Sequence, residues 1–314
     1  MILKNLAKPL PLQKLDAAIP RLLPQFPALS KMKDDAAKRQ LGLTGEKKVN
    51  YFIDNLAQMY TILHDVYLRI NGKSFQIDSL VIANHSISIV DTKNYKGTIT
   101  FNTTLKQLTR DDGKLESGFE YPITQVDNQK FHLQNWLTQH NLAHIPVNCY
   151  IAIADPSTIV KVKGDEEEIS KVVVHGAEIH NRILASDRDF GRKGAKKLQN
   201  YQIGKSVLRE CREFDIDMLK AYGIQPSDIL PGVICPDCGL RGMERVYNGW
   251  VCRKCKRFSR NAHIDIADYL LFNDVITNSK CMWFLGLPTR GTATRILKKS
   301  GLVYDEKHRC WRKK

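Results

Sequence analysis

No stretch of this 314-residue chain approaches the ~18 uninterrupted apolar residues that a membrane-spanning helix needs. The opening residues, MILKNLAKPLPLQKL, are broken by Lys and Pro and lack the continuous apolar core of a secretory leader. Negative charge is scarce: 33 Asp and Glu stand against 48 Lys and Arg, a formal net charge of +15. RNP-type aromatic motifs are missing, which ranks RNA behind DNA as a target. A P-loop is missing as well. Ile203, Gly204, Lys205 and Ser206 look like its end, but Gln199 stands where the upstream glycine belongs and no apolar strand leads in. These absences exclude a membrane-spanning protein and argue against a nucleoside triphosphate site. What is present is globular composition, 43% hydrophobic and 26% charged, enough for about two domains. The expectation is a cytoplasmic protein whose partner is a polyanion, nucleic acid before an anionic membrane surface.

The positive charge is concentrated. Residues 232–314 carry 17 Lys and Arg against 7 Asp and Glu. Just before them, GIQPSDILPGV (223–233) reads as a linker, or else as a surface loop. Then come Cys235, Cys238, Cys252 and Cys255 in a C-x2-C-x13-C-x2-C pattern, with an Asn-Gly hairpin turn between the pairs. Two disulfides or unrelated thiols are the plain alternatives. A chain without an export signal favours four thiolates closing a tetrahedral structural zinc site, as in a zinc ribbon. Cys149 reads as a buried thiol; Cys211, Cys281 and Cys310 show no pairing pattern. Beyond the ribbon, a helix over 263–274, a second capped by Thr277 or Ser279 and ended by Gly286, a basic helix over 289–301 and a hairpin over 302–312 resemble a winged helix-turn-helix. In that arrangement Arg290, Arg295, Lys298, Lys299, Arg309 and Arg312 would face DNA phosphates and bases. A small helical subdomain with a solvated basic face is the alternative.

The front half predicts a helix over 43–60 capped by Thr44, strands over 60–70, 75–84 and 85–93, and a further strand over 96–101. A helix over 121–140 and a buried strand over 145–155 follow. KVKGDEEEIS reads as a solvated loop and KVVVHG as a short strand. Glu46 lies on the first helix, and Asp78 interrupts an apolar strand. Asp91 and Lys93, two residues apart on the next strand, share a face. Taken singly, these are a first-turn carboxylate, a strand-end Asp and a surface ion pair. Taken together, the carboxylates repel by about 4 kcal/mol per pair at ~4 Å and an effective dielectric of about 20. A divalent cation such as Mg2+ or Mn2+ removes that cost.

The segments GE (45–46), QID (76–78), DTKNYKG (91–97) and YPITQ (121–125), in that order, resemble the nuclease-related domain, NERD, of the PD-(D/E)xK nuclease superfamily. The resemblance covers roughly residues 40–155. It implies a restriction-endonuclease-like α/β core with a mixed central sheet flanked by helices. It also implies Glu46 as the helix carboxylate, Asp78 and Asp91 as Mg2+ ligands, Lys93 as the residue that positions the attacking water, and Gln125 beside the site. Gln129 competes with Gln125 for that last place, and Asp91 stands where many relatives carry Glu. The domain order expected is an N-terminal extension (1–40), the nuclease-like domain (41–222), the linker (223–233), the zinc ribbon (234–260) and the winged-helix-like module (261–314). The functional expectation is a metal-dependent deoxyribonuclease with one structural zinc and a DNA-gripping tail. A non-cleaving DNA-binding regulator is the alternative, and a homodimer is compatible with either.

Overall fold

A computed structural model describes residues 1–260 and 263–313. Residues 261, 262 and 314, which the sequence reading assigns to the winged-helix-like module, lie outside the described residues. In chain order the elements are β1 (Ile2–Lys4), α1 (Leu10–Ala18), α2 (Leu29–Ile53), β2 (Thr61–Ile70), β3 (Lys73–Ile82), β4 (Ile87–Lys93), β5 (Thr98–Asn102), β6 (Gln107–Asp111), β7 (Glu116–Phe119), α3 (Pro122–Gln139), β8 (Val147–Ile153), β9 (Ile159–Lys163), α4 (Glu166–Val172), β10 (Val173–His175), α5 (Ile179–Arg192) and α6 (Asn200–Glu210). Then follow α7 (Met218–Tyr222), β11 (Glu244–Val246), β12 (Gly249–Val251), β13 (Phe258–Ser259), α8 (His263–Tyr269), β14 (Val275–Ile276), α9 (Asn278–Leu285), α10 (Arg290–Lys299), β15 (Val303–Asp305) and β16 (Cys310–Arg312). The chain divides into two compact units, one of residues 1–7 and 40–213, the other of residues 8–39 and 214–314.

The first unit is a mixed α/β fold. Its six-stranded sheet runs β1-β2-β3-β4-β8-β10. β2, β3 and β4 are antiparallel neighbours, whereas β4, β8 and β10 run parallel. Both faces are covered, which is why β4 and β8 read as apolar runs rather than as alternating strands. On one face, Ile87 and Ile89 pack with Leu133, Trp136 and Leu137 of α3 and with Ile203 and Val207 of α6. On the other, Val81, Val90, Tyr150 and Ala152 pack with Val49 and Ile53 of α2 and Ile179 and Ile183 of α5.

The sequence reading needs correction in three places. The helix expected from residue 43 starts at Leu29, and Thr44 lies within it. Its hydroxyl donates to the Gln40 carbonyl one turn back (2.8 Å), so it is not a cap. The strand expected over 96–101 does not extend the central sheet. As β5 it joins a separate four-stranded sheet, β7-β6-β5-β9. The solvated loop expected around residues 161–170 is β9 followed by α4, with Asp165 capping the helix through Glu168 N. Ile203 to Ser206, the P-loop look-alike, lie inside α6.

In the second unit, Leu15, Ala18, Leu22 and Met32 share a core with Met218 and Ile224. Arg21, 1% exposed, forms a buried ion pair with Asp265 (2.5 Å) and donates to the Gly232 carbonyl (2.8 Å). β11-β12-β13 form one small sheet and β14-β16-β15 another. Trp250, Phe284, Leu297 and Trp311 occupy a common core. Thr277 caps α9, Gly286 ends it at φ 64°, and Thr289 caps α10. α8, β14, α9, α10 and the β15–β16 hairpin thus follow one another in order.

Candidate active site

Five side chains named from sequence converge in the first unit, carried by α2, β3, β4 and α3. Asp91 is the most deeply placed, at 1% exposure. Its Oδ2 meets the Lys93 ammonium at 2.8 Å, as the shared face of β4 requires. Gln125, in the first turn of α3, joins the two: its Nε2 donates to Asp91 Oδ1 (2.9 Å), and its Oε1 accepts from Lys93 Nζ (2.8 Å). Gln129, one turn on, is buried on the same helix and lowers the Asp91 carboxyl slightly, whereas the hydrogen bond to Asp91 comes from Gln125. Asp78 on β3 accepts a hydrogen bond from Thr92 N (2.8 Å), which fixes it beside the end of β4. Glu46 comes from α2. Gly45 before it lets that helix approach β4, since a Cβ there would meet Asn94 Cβ at 2.5 Å. Asn94 in turn donates to the Leu41 carbonyl (2.7 Å).

The electrostatics are those of crowded carboxylates. Burial pushes Asp78 well above the usual carboxylate range, and the nearby Asp91 and Glu46 push it further. Glu46 is raised to about 7 by burial, then by Asp65 and Asp91. Asp91 is raised by burial, against the pull of Lys93 and Gln129. For Lys93, burial disfavours the charge, yet the Asp91 carboxylate outweighs it and holds the ammonium protonated beyond its ordinary range. One ammonium faces three acidic groups.

Sequence reasoning passes over Asp65. It adopts φ 52° within β2, level with Asp78 across the β2–β3 ladder. Lys4 Nζ (3.1 Å) and Gln76 Nε2 (2.7 Å) hold its carboxylate. A signal for it exists, because an Asp interrupts an apolar strand there just as Asp78 does. His64 is structural: buried, it bonds Ser79 Oγ (2.8 Å) and Asp54 (3.0 Å).

Oxygen donors suit Mg2+ or Mn2+. Asp91 Oδ2 faces the Lys93 ammonium and takes no other partner, which leaves a lone pair for such an ion. Asp78 and Asp91 would hold it, and Glu46 stands by. Among the described residues, the cluster of metal-ligating side chains whose atoms all lie within 4.8 Å of one another is a different one: Cys235, Cys238, Cys252 and Cys255. Their closest sulfur pairs are 3.5 Å apart, too far for disulfides and near the ~3.8 Å that tetrahedral thiolates at ~2.3 Å from zinc would show. Backbone N–H groups of Cys255 and Lys254 lower the Cys252 thiol, while the crowding of neighbouring sulfurs raises that of Cys255. The cluster is consistent with a zinc ribbon.

Arg290, Arg295, Lys298 and Lys299 lie on the exposed side of α10, opposite the buried Ala293 and Leu297. Arg309 is exposed in the β15–β16 turn, and Arg312 on β16 pairs with Asp305 (3.4 Å). Among the described residues, no helix is long and apolar enough to cross a membrane.

An uncharacterized protein of Bacillus anthracis is 32% identical over 113 residues, which cover 35% of this chain and 52% of that protein. The chain thus spans about half the length of that relative. A Vibrio cholerae protein of known crystal structure matches 52% of this chain and 37% of its own at 12% identity, with a TM-score of 0.24. Residues 41–154, the segment that carries Glu46, Asp78, Asp91, Lys93 and Gln125, match the family model of the nuclease-related domain, NERD, a restriction-endonuclease-like fold.

Proposed function

We propose that the protein is a metal-dependent nuclease that hydrolyses DNA phosphodiester bonds. The observation that carries this reading is the meeting of Asp91, Lys93 and Gln125 in one hydrogen-bonded group beside Asp78 and Glu46. Bound between Asp78 and Asp91, Mg2+ would supply positive charge beside the scissile phosphate. The protein's own groups do the rest. Lys93 orients an attacking water and offsets developing negative charge on the phosphate. Gln125 fixes Lys93 and Asp91 in register. Glu46 adds a third acidic group beside Asp78 and Asp91, to which a bound cation would give a partner.

A pocket of carboxylates repels DNA, so the basic second unit has a clear task. Arg290, Arg295, Lys298, Lys299, Arg309 and Arg312, on a winged-helix-like arrangement, hold the polyanion, and the tether raises its local concentration at the site. One zinc on the four cysteines keeps that module folded. The test incubates the full chain with plasmid DNA and with RNA, with Mg2+ or Mn2+, with and without EDTA, beside Asp91→Ala and Lys93→Ala. Cleavage that EDTA stops and that both variants lose by at least ~100-fold supports the nuclease. DNA binding without cleavage by the wild-type chain overturns it and selects a DNA-binding regulator.

A further inference from the structure

A second feature stands at the same end of the central sheet as Lys93. β4, β8 and β10 run parallel, and Lys93, Ile153 and His175 are level with one another at their C-terminal ends. Two strand spacings, roughly 10 Å, therefore separate the Lys93 and His175 backbones. Beside His175 a pocket of about 350 Å³ opens, lined by Lys48, Tyr51, Phe52, Ala154, Pro156 and His175. Gly176 lets the chain after β10 close against α2, because a Cβ there would stand 3.1 Å from Val49.

The lining is aromatic and the rim is basic. Tyr51 is 70% exposed. Its ring meets Phe52 edge-on at 5.2 Å, and Phe52 stacks with His180 at 6.4 Å. Lys48 reaches Asp155 at 3.7 Å, and Lys96, in the segment after β4, is exposed. Lys47 is exposed on the same turn of α2. The backbone joins this rim to the carboxylate cluster, since Ala154 N donates to the Lys93 carbonyl (2.9 Å).

Deepening the nuclease reading, on which it rests, we infer that this pocket takes one unpaired nucleobase of the substrate strand, stacked on Tyr51, while Lys48 and Lys96 hold its phosphates. An apolar pocket with the Lys48 ammonium in its lining, and Lys47 exposed on the same turn of α2, matches a nucleotide's flat ring and charged backbone. Stacking on an exposed aromatic beside a basic track is how single strands are held without sequence preference. A duplex keeps its bases stacked inside, so only a single strand or a flipped nucleotide can fill the pocket. The substrate class is thus DNA with a single-stranded segment beside the cleaved bond.

The test uses the full, zinc-loaded chain with no Mg2+ or Mn2+ added, so that binding is read without cleavage, and a single-stranded oligothymidylate carrying one 4-thiothymidine. Irradiation is expected to cross-link the tryptic peptide 49–69, at Tyr51 or Phe52. Tyr51→Ala is expected to weaken single-strand binding about tenfold, with Tyr51→Trp restoring it and duplex binding changed less than about twofold. The inference is overturned if the strand binds but cross-links only elsewhere, if Tyr51→Ala binds it like the wild type, or if no single strand binds at all. Metal-dependent plasmid cleavage with an inert Tyr51 sinks the pocket and leaves the nuclease standing. Cross-linking at Tyr51 without any metal-dependent cleavage does the reverse.

Discussion

Glu46 carries a carboxyl whose proton is held to about pH 7, chiefly by burial and then by Asp65 and Asp91. In the unfolded chain the same group ionises near 4.5. The folded, cation-free protein therefore binds that proton more tightly than the unfolded chain does. Stability tied to it is complete below pH 4.5 and is lost as pH rises to about 7. Glu46→Gln removes the penalty: it is expected to stabilise the EDTA-treated protein by about 1–3 kcal/mol at pH 8 and by much less at pH 5. Added Mn2+ narrows the gap. Thermal melts at the two pH values check this, and an equal gap at both contradicts it. Asp65 belongs to the same scale. Its place is open to inference, because the Asn71–Gly72 turn pairs Ile70 with Lys73 and so sets residue 65 level with residue 78; what no local pattern marks is that its carboxylate belongs with that of Glu46. Asp91 and Lys93 are legible because the period of a strand alone puts them on one face.

At the scale of elements, the site depends on α2 and the turn after β4 touching without a side chain between them. Gly45→Ala pushes a methyl group into Asn94. It is expected to cost about 1–3 kcal/mol, by overpacking, and to lower cleavage by moving Glu46. Chemical denaturation alongside a cleavage assay checks both. The elements themselves are legible in the sequence to differing depth. β2, β3 and β4 follow from β-branched runs and the Asn71–Gly72 turn. α10 follows from its Thr289 cap, its buried Ala293 and Leu297 and its basic outer face. The start of α2 does not, because KMKDDAAKRQ has few apolar residues to mark a buried face. Nor does β6, whose polar QLTRD looks like a loop until β5 and β7 supply hydrogen-bond partners; β9, IVKVK, carries strand-forming Ile and Val, but reading 161–170 as one loop cuts through it.

At the scale of the whole molecule, residues 8–39 and 214–314 form one unit although some 175 residues separate them along the chain. Sequence reading treats the first stretch as an extension, since a pairing such as Arg21 with Asp265 leaves no local trace. Asp265→Ala strands a buried guanidinium and is expected to cost about 3–5 kcal/mol, read by denaturant titration. Zinc is expected at one ion per chain. Cys238→Ser should lower that content and weaken DNA binding, which metal analysis and a binding titration will show. Replacing Arg295, Lys298 and Lys299 together by Ala is expected to reduce the slope of log affinity against log salt by up to about 3, roughly 0.9 for each phosphate no longer neutralised. An unchanged slope would remove α10 from the DNA interface.

The central claim is that Asp78 and Asp91 grip a divalent cation beside the Lys93 ammonium. Crystals of the full chain soaked in Mn2+ and measured at the manganese absorption edge test it most directly. The account expects one anomalous peak within coordination distance of both carboxylates, lost in Asp91→Ala crystals. A site that stays free of manganese at saturating concentration, or a peak held by other residues alone, would contradict it.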